Sequence, residues 1–539
     1  MTLGLAQKQS NLFDDVEQFC EEVLSERSIY SFLHRERDRL FPDEVFSDLF
    51  TSTGRRSVPP SVVAVVMVLQ RLEGLSDREA VERYCFDNRW RYAAGTGSYS
   101  TGGWTSFAHT VLVDMRMRLR NSERPNRIFE AVLDTAKGVG LIGCKRVLDS
   151  TPLYDAVATM DTVTLIRSAI RGLLKVADVC LNSELRNVLT SGDDYMNLAK
   201  PQIDWDDTTA QEQLVDSRAK DAYACLILLE GRKLEPAVIQ ATHLLAAVVG
   251  QDLDEGDDKV LRIARRVAKD RIISTVDPQA RHGHKSSAHG FDGYKGHIAI
   301  DPESEIITAT VVTPGNASDG SVATELICDL LEERTLNPGP KSETSEPTTE
   351  QPTVYGDCAY GTGEFQSHLN DAGIDSKCKT QPPSIKNELF TKDSFIIDLD
   401  ANTVTCPNKV TVVIRRNRDG EGIAKFARNC TECPLAKECT TSVIGRKIRV
   451  GLNEASLAKA RKEQKDPSWR ADYKKTRPKV ERKIAHLMRQ RHGGRRSRVR
   501  GKEKVGADFN LLAAATNLSR LATLGLHFAK AQWVVPKMC

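Results

Sequence analysis

Three acidic residues stand where a strand or helix could present them to a common site. Asp149 closes the run CKRVLDS, Asp357 closes TVYGD just before Cys358 and Ala359, and Glu481 lies in the basic stretch TRPKVERKIAHLM. Three carboxylates brought together could hold two Mg²⁺ ions, which take oxygen ligands. Two such ions about 4 Å apart activate an attacking water or 3′-hydroxyl and stabilise the leaving oxygen of a phosphodiester. A strand that ends in an acid delivers it to the C-terminal edge of a sheet, the usual ligand edge of an open α/β fold. Taken singly, each Asp serves equally well as a turn or capping residue.

A second constellation is Cys406, Cys430, Cys433 and Cys439, with CTEC forming a C-x-x-C knuckle. Four thiolates suit a tetrahedral structural Zn²⁺ with no open position; the irregular spacing leaves ordinary reduced thiols as the other reading. The thirteen cysteines of the chain otherwise scatter through apolar text, as expected of reduced thiols in an unsecreted protein. A third is the cationic run Arg489, Arg491, Arg495, Arg496, Arg498, Arg500, Lys502 and Lys504, opposed only by Glu503. Such density suits phosphate binding with counterion release, against the plainer reading of a solvated surface tail. Gly493 and Gly494 suggest a flexible loop. The histidines His282, His284, His289 and His297 could bind metal, but Arg281 and Lys285 beside RHGHK favour a DNA-facing loop. The stretch GTGSYSTGG at 95–103 lacks the Lys-Ser/Thr ending of a phosphate loop and reads as a linker.

The elements that must carry these residues follow from pattern. Pro59 and Pro60 suit the start of a helix over the apolar stretch Val62–Leu72, Gly74 breaks it, and Ser76 with Glu79 forms a capping box opening a second helix to about Tyr92. That layout fits a helix-turn-helix or any αα-hairpin. CKRVLDS is a short strand, and from Asp155 to about Lys269 apolar spacing is helical. YKGHIAID and EIITATVVT form a β-hairpin, followed by a helix at Asp319–Glu333, a Pro/Ser/Thr/Glu linker at 336–353, the strand TVYGD, a helix at Gly363–Ala372 and the strand DSKCKT. This order is that of a mixed α/β sheet. Residues 396–450 are β-rich, and a final helix carries Leu511, Leu512, Ala515, Leu518 and Leu521 at core spacing. Pro478 places Arg477 in extended backbone just ahead of the helix bearing Glu481 in its first turn.

The totals constrain less. With 539 residues the chain exceeds one core, and 76 Lys and Arg against 73 Asp and Glu leave a net charge of +3, so any nucleic-acid signal is local. No stretch is apolar over a membrane-spanning length, and no signal-peptide pattern opens the chain.

Several of these pieces, in order, resemble the DDE transposases of bacterial insertion sequences, in the group marked by a Tyr–Arg–Glu–Lys signature. The matching text is LFPDEVFSDLF through RRSVPPSVVAVVMVLQRLEGLSDREAVERYCFDNRWRYAAG, VLDST, VDPQARHGHKSSAHGFDGYKGHIAID, VTPGNASDG, VYGDCAYGTGEF and YKKTRPKVERKIAHLMRQRHGGRRSRVRGKEKV. The resemblance implies an RNase H-like catalytic core with the triad Asp149, Asp357 and Glu481 holding two Mg²⁺ (Mn²⁺ substituting), and Tyr473 and Arg477 at the DNA. The signature departs in two places: three residues separate Tyr473 from Arg477, where two are usual, and Met488 stands where Lys is expected, with Arg489 and Arg491 the next cations.

The expected fold class is α/β, an RNase H-like core with an N-terminal helical domain, a helical insertion and a small Cys-rich β insertion. Its expected divisions are an N-terminal domain at 1–140 for DNA-end binding or dimerisation, the first core strand at 141–160, the helical insertion at 161–270, core at 271–395, the zinc-ribbon-like insertion at 396–450, and the Glu helix with the basic segment at 451–539. The implied function is metal-dependent cleavage and strand transfer at the ends of an insertion sequence. The alternative is a transposase-derived regulator that binds ends without cutting. Expected partners are double-stranded DNA, both terminal repeats and target, and further copies of the chain as a homodimer or higher oligomer, with no membrane; the expected location is the bacterial cytoplasm, at the nucleoid when bound.

Overall fold

Pro60 begins a helix that is apolar on all sides, and such a helix must be buried. In the computed structural model α1 (Pro60–Glu73) has every residue from Pro60 to Arg71 buried. Gly74 ends it in the left-handed conformation at φ +68°, which only glycine adopts without strain. α2 (Asp77–Phe86) opens with the capping box, Ser76 accepting the Glu79 N–H and Glu79 accepting the Ser76 N–H at 2.7 Å. It stops short of the expected Tyr92. The Asp87 carboxylate accepts the Arg89 N–H and caps a separate helix, Asn88–Ala93.

The structure describes residues 16–536 except 52, 55, 97–105, 156–158, 205, 257–258, 265–267, 287–288, 337–350 and 384–388. The proposed linkers at 95–103 and 336–353 lie mostly outside the described residues. Among the described residues no helix is long and apolar enough to cross a membrane.

A mixed sheet forms the centre. β1 (Lys145–Tyr154) runs past the expected Ser150. β2 (Arg281–Ser286), β3 (His289–Ile300) and β4 (Ile307–Pro314) follow, then β5 (Thr353–Gly356), α3 (Gly363–Asp371) and β6 (Asp375–Cys378). The order is β2-β3-β1-β5-β6, with β4 also on β3. β1 pairs antiparallel with β3, Asp149 opposite Ile298, and parallel with β5, Val147 opposite Tyr355. RHGHK therefore lies on strand β2 rather than in a loop, paired with β3. The helix expected over Asp319–Glu333 is broken into Asp319–Val322, Ala323–Leu326 and Cys328–Leu336, because Val322 and Ile327 leave helical geometry at φ −116° and −118°.

Between β1 and β2 the helices Thr162–Val176, Thr208–Leu229 and Pro236–Asp252 enclose their own core of Leu165, Ile170, Ala222, Leu245 and Val249. A short hairpin, Leu253–Glu255 with Leu261–Ile263, stands where helix was expected. The Cys-rich region is a five-stranded antiparallel sheet from Ile396 to Val450. α4 (Pro467–Thr476), α5 (Pro478–Leu487) and α6 (Lys502–Leu524) complete the set used below.

α6 is the element on which the others pack. Leu511, Leu512, Ala515, Leu518 and Leu521 are all buried, as their spacing requires, in one core with α1, Val147, Ile300 and Tyr355. Each buried leucine contributes about 1.5–3 kcal/mol. Asn517 accepts the Ile307 N–H at 2.9 Å and donates to the Ile307 carbonyl at 2.8 Å, which satisfies backbone groups of β4. The turn after α1 then docks on the chain that leads into α6. A Cβ on Gly74 would stand 2.6 Å from the Arg491 carbonyl oxygen. Gly74→Ala combines that clash with left-handed strain, and should cost roughly 1–3 kcal/mol, read as a lowered urea midpoint with unchanged slope.

Candidate active site and cysteine cavity

Side chains alternate along a strand, so Asp149 shares its face of β1 with Val147 and Leu153, which join the core against α6. Leu148 points the other way, into a second core with Val354, Tyr360 and Phe365. β5 ends at Gly356 and the chain turns. The Asp357 carboxylate accepts the Ala359 N–H at 2.9 Å, and its carbonyl accepts the Tyr360 and Gly361 N–H groups at 3.2 Å. Tyr473, Arg477 and Glu481 stand at i, i+4 and i+8, one face of the α4–α5 pair. Arg477 is helical, φ −55° and ψ −40°, not extended: its N–H donates to the Tyr473 carbonyl at 2.9 Å, which carries the helical path into Pro478. Glu481 falls in the first turn of α5, as expected.

Arg477 is 7% exposed and grips Asp149 with both terminal nitrogens, Nη2 to Oδ1 at 2.9 Å and Nη1 to Oδ2 at 3.1 Å. Nη1 lies 3.7 Å from Glu481 Oε1. Burial pushes the Asp149 carboxyl above the ordinary range, Arg477 pulls it back and the Asp357 charge adds to the rise. Asp149 and Glu481 thus both meet the Arg477 guanidinium, while the Asp357 charge is felt at Asp149 and Arg477 without an ion pair to either among the described residues. Among the described residues only Glu17, Glu21 and His34 bring three ligand atoms within 4.8 Å of one another, on an exposed surface.

Tyr473, expected at the DNA, is buried beside the end of β5. It is 9% exposed, stacks on Trp469 with ring centroids 5.1 Å apart, and donates its hydroxyl to the Gly356 carbonyl at 3.3 Å. It holds the strand end that precedes Asp357. Met488, where the signature has Lys, is buried.

The basic segment is not the loose loop that its glycines suggest. Tyr154 donates to the Arg495 carbonyl and Ser497 to the Tyr154 carbonyl, both at 2.8 Å, extending β1 by one parallel bridge. His492 contacts the Leu72 carbonyl, Arg71 donates to the His492 carbonyl, and Arg498 donates to the Leu75 carbonyl. A buried pair, Arg71 Nε to Asp508 Oδ2 at 3.0 Å, fastens α1 to α6. All eight cations of the run retain exposed surface, but the Arg498 guanidinium is already engaged.

Residue types alone did not mark Ser150, Lys295 or Asp319. Ser150 donates to Asp319 Oδ2 at 2.6 Å and Lys295 Nζ lies 2.8 Å from Asp319 Oδ1, a polar strut beside Asp149. Next to it His297, fully buried, contacts Tyr360 Oη at 3.0 Å and Thr313 Oγ1 at 2.9 Å; Tyr360 lies three positions after Asp357. Further along, His282 binds Asp292 at 2.7 Å and packs edge-on against His284.

Cys406, Cys430, Cys433 and Cys439 line one small cavity of about 20 Å³ together with Phe390, Phe395 and Phe426. The Arg446 N–H points at Cys430 Sγ at 3.4 Å. Burial pushes the Cys439 thiol up, and Arg446 pulls it down. No three of these sulfurs fall within 4.8 Å of one another.

Burial holds the His297 imidazole well below the ordinary histidine range. The folded protein therefore keeps it neutral while the unfolded chain takes up a proton below about pH 6.5. Stability is lost as pH falls from that value, by at most about 1.4 kcal/mol per pH unit from this group. Urea midpoints between pH 7.5 and 5 should fall more steeply for wild type than for His297→Gln; parallel profiles would remove His297 from the cause.

Residues 405–522 match the family model described as Transposase DDE domain, and residues 19–118 match Transposase domain (DUF772). The first match contains Glu481 and the cysteine cavity; Asp149 and Asp357 lie outside it. No curated protein and no solved structure matches the chain.

Proposed function

We propose that the chain is a DDE transposase of insertion sequences, a reading that its matches to two transposase family models support, and that it binds the ends of such an element and cuts and joins DNA there with Asp149, Asp357 and Glu481. The observation that carries this reading is that Arg477 meets both Asp149, on the central strand, and Glu481, with Asp357 just past the end of the neighbouring parallel strand and its charge felt at Asp149. We read the core as RNase H-like. An antiparallel β4–β3–β1 unit followed by parallel β5 and β6 supports that reading, as does a helix bearing the last acid against β1.

The donor set fits a hard divalent cation, since it contains carboxylate oxygens alone and places Asp149 where burial and Asp357 both disfavour its charge. Asp149, Asp357 and Glu481 would hold Mg²⁺ or Mn²⁺, which when bound supplies activation of the attacking oxygen and stabilisation of the leaving one. The protein's own part is distinct. Arg477 favours the charged form of Asp149 against burial and orients it from the α4–α5 side, the Ala359 N–H fixes the Asp357 carboxylate, and Tyr473 fixes the strand end beneath it. The exposed cations from Arg489 to Lys504 grip the DNA backbone by charge, a contact that positions the duplex without reading its bases. Arg498 serves instead to dock α1. The partners of this activity are double-stranded DNA and further copies of the chain.

On DNA carrying the element's own ends, Asp149→Asn, Asp357→Asn and Glu481→Gln should each lower cutting by at least about a hundredfold, the scale of losing one charge-stabilising group. End binding in a mobility-shift assay should persist. Turnover that survives in one variant removes that residue from the triad, and nicking that persists in excess chelator removes the metal.

The cysteine cavity is a structural zinc site in the same reading. Four thiols facing one cavity of about 20 Å³, with a backbone N–H directed at one sulfur, support it. Zinc would draw the sulfurs closer than they stand and, with four thiolates, take no part in catalysis. Elemental analysis should find one zinc per chain, lost in Cys430→Ser with a lowered melting temperature. Zinc-free protein of unchanged stability would leave plain thiols.

A further inference from the structure

The face of the sheet that carries Asp149 and Asp357 also carries lysines from β6 and just past its end. β6 runs parallel to β5, with Tyr355 opposite Lys377 and Gly356 opposite Cys378. The Lys379 N–H donates to the Gly356 carbonyl at 3.0 Å and carries the pairing one step past the strand ends. By alternation, Lys377 and Lys379 share the face of Tyr355 and Asp357. That face lies under α4, where the Tyr355 hydroxyl donates to Asp472 Oδ2 at 2.9 Å.

The two lysines differ in what they meet. Lys377 is largely covered, 3.4 Å from Asp375 and 5.9 Å from the Trp469 ring centroid. Lys379 is exposed, and among the described residues no carboxylate lies within ion-pair distance of it. Its ammonium sits 4.5 Å from the centroid of the Tyr473 ring, whose hydroxyl is held by Gly356, the residue before Asp357.

We infer that Lys379 contacts the substrate: its ammonium binds a non-bridging oxygen of a DNA phosphate flanking the bond cut at Asp149, Asp357 and Glu481. This rests on the transposase reading and extends it. Three carboxylates repel the polyanion that they must approach, and Arg477, buried and paired with Asp149, is not free to offset that. A lysine held over an aromatic ring is positioned by a weak contact that leaves its charge unneutralised. An ammonium is a phosphate ligand of the point-charge kind, needing no fixed fork geometry.

The test uses the full chain and duplexes bearing the element's ends, with single neutral methylphosphonates placed in turn at the phosphates around the cut. Lys379→Ala should slow single-turnover cutting roughly tenfold to a hundredfold, the scale of one charge-assisted contact. End affinity should change less than about threefold, because one phosphate contact among many is lost, and the melting temperature should hold, because the side chain is exposed. Lys379→Arg should restore most of the rate. At one flanking position the methylphosphonate should slow wild type by a similar factor and slow Lys379→Ala no further. Wild-type cutting by Lys379→Ala, or additive losses at every position, overturns the inference while leaving the transposase reading intact. A wild-type chain that binds ends and never cuts overturns both.

Discussion

The pair of Asp149 and Arg477 joins residues 328 positions apart in the chain and ties the central strand to the junction of α4 and α5. Burying two charges is expensive, and a pair repays it only with good geometry and no orphaned partner. The bidentate contact meets that condition for Asp149. Loss of either side chain would strand the other in the core, so the strand and the helical junction must be placed together. Glu481, one turn beyond Arg477, follows from the same helix path, and Tyr473, one turn before it, anchors the end of β5.

Around that pair the chain is built in separable pieces. The helices between β1 and β2 close over their own apolar core, and the five-stranded Cys-rich sheet has another, with Val404, Ile414, Ala424 and Ile448 buried. The first lies between β1 and β2 and the second between β6 and α4, so each interrupts the core in sequence without interrupting it in space, because packing depends on surfaces meeting rather than on the length of chain between them. The N-terminal helices behave otherwise. They share one continuous core with α6 and a face of the sheet, and Arg71, Leu72, Leu75 and Gly74 meet the backbone or side chains of His492, Arg498 and Asp508. The unit matched as a transposase domain at 19–118 and the segment just after Glu481 are thus in direct contact.

The basic run shows how composition can mislead about order. Eight cations and two glycines read as a free loop, yet Tyr154 holds Arg495 and Ser497 by backbone hydrogen bonds and α1 receives His492 and Arg498. Glycine there permits close approach: a Cβ on Gly494 would lie 2.4 Å from the Leu487 carbonyl oxygen. The charge remains outward, but its positions are set by the fold.

What the sequence by itself determined is what short-range chemistry decides. The proline start and glycine end of α1, the Ser76–Glu79 box, the β-hairpin of β3 and β4, the apolar face of α6 and the place of Asp357 just past the end of β5 all rest on local hydrogen bonds or on periodicity within one element. Asp149, expected at a strand end, lies within β1, which its pairing with β3 carries on to Tyr154. Where local reading went astray, a capping or dihedral choice between close alternatives was at stake, as at Asp87 and Arg477. Only the tertiary structure decided which cation meets which carboxylate. Arg477 turned inward to Asp149, Tyr473 met the end of β5, Arg498 the Leu75 carbonyl, Asp319 met Ser150 and Lys379 the Tyr473 ring. Those roles depend on burial and on partners that lie far away in the chain, and a side chain's type does not say what the fold will set against it.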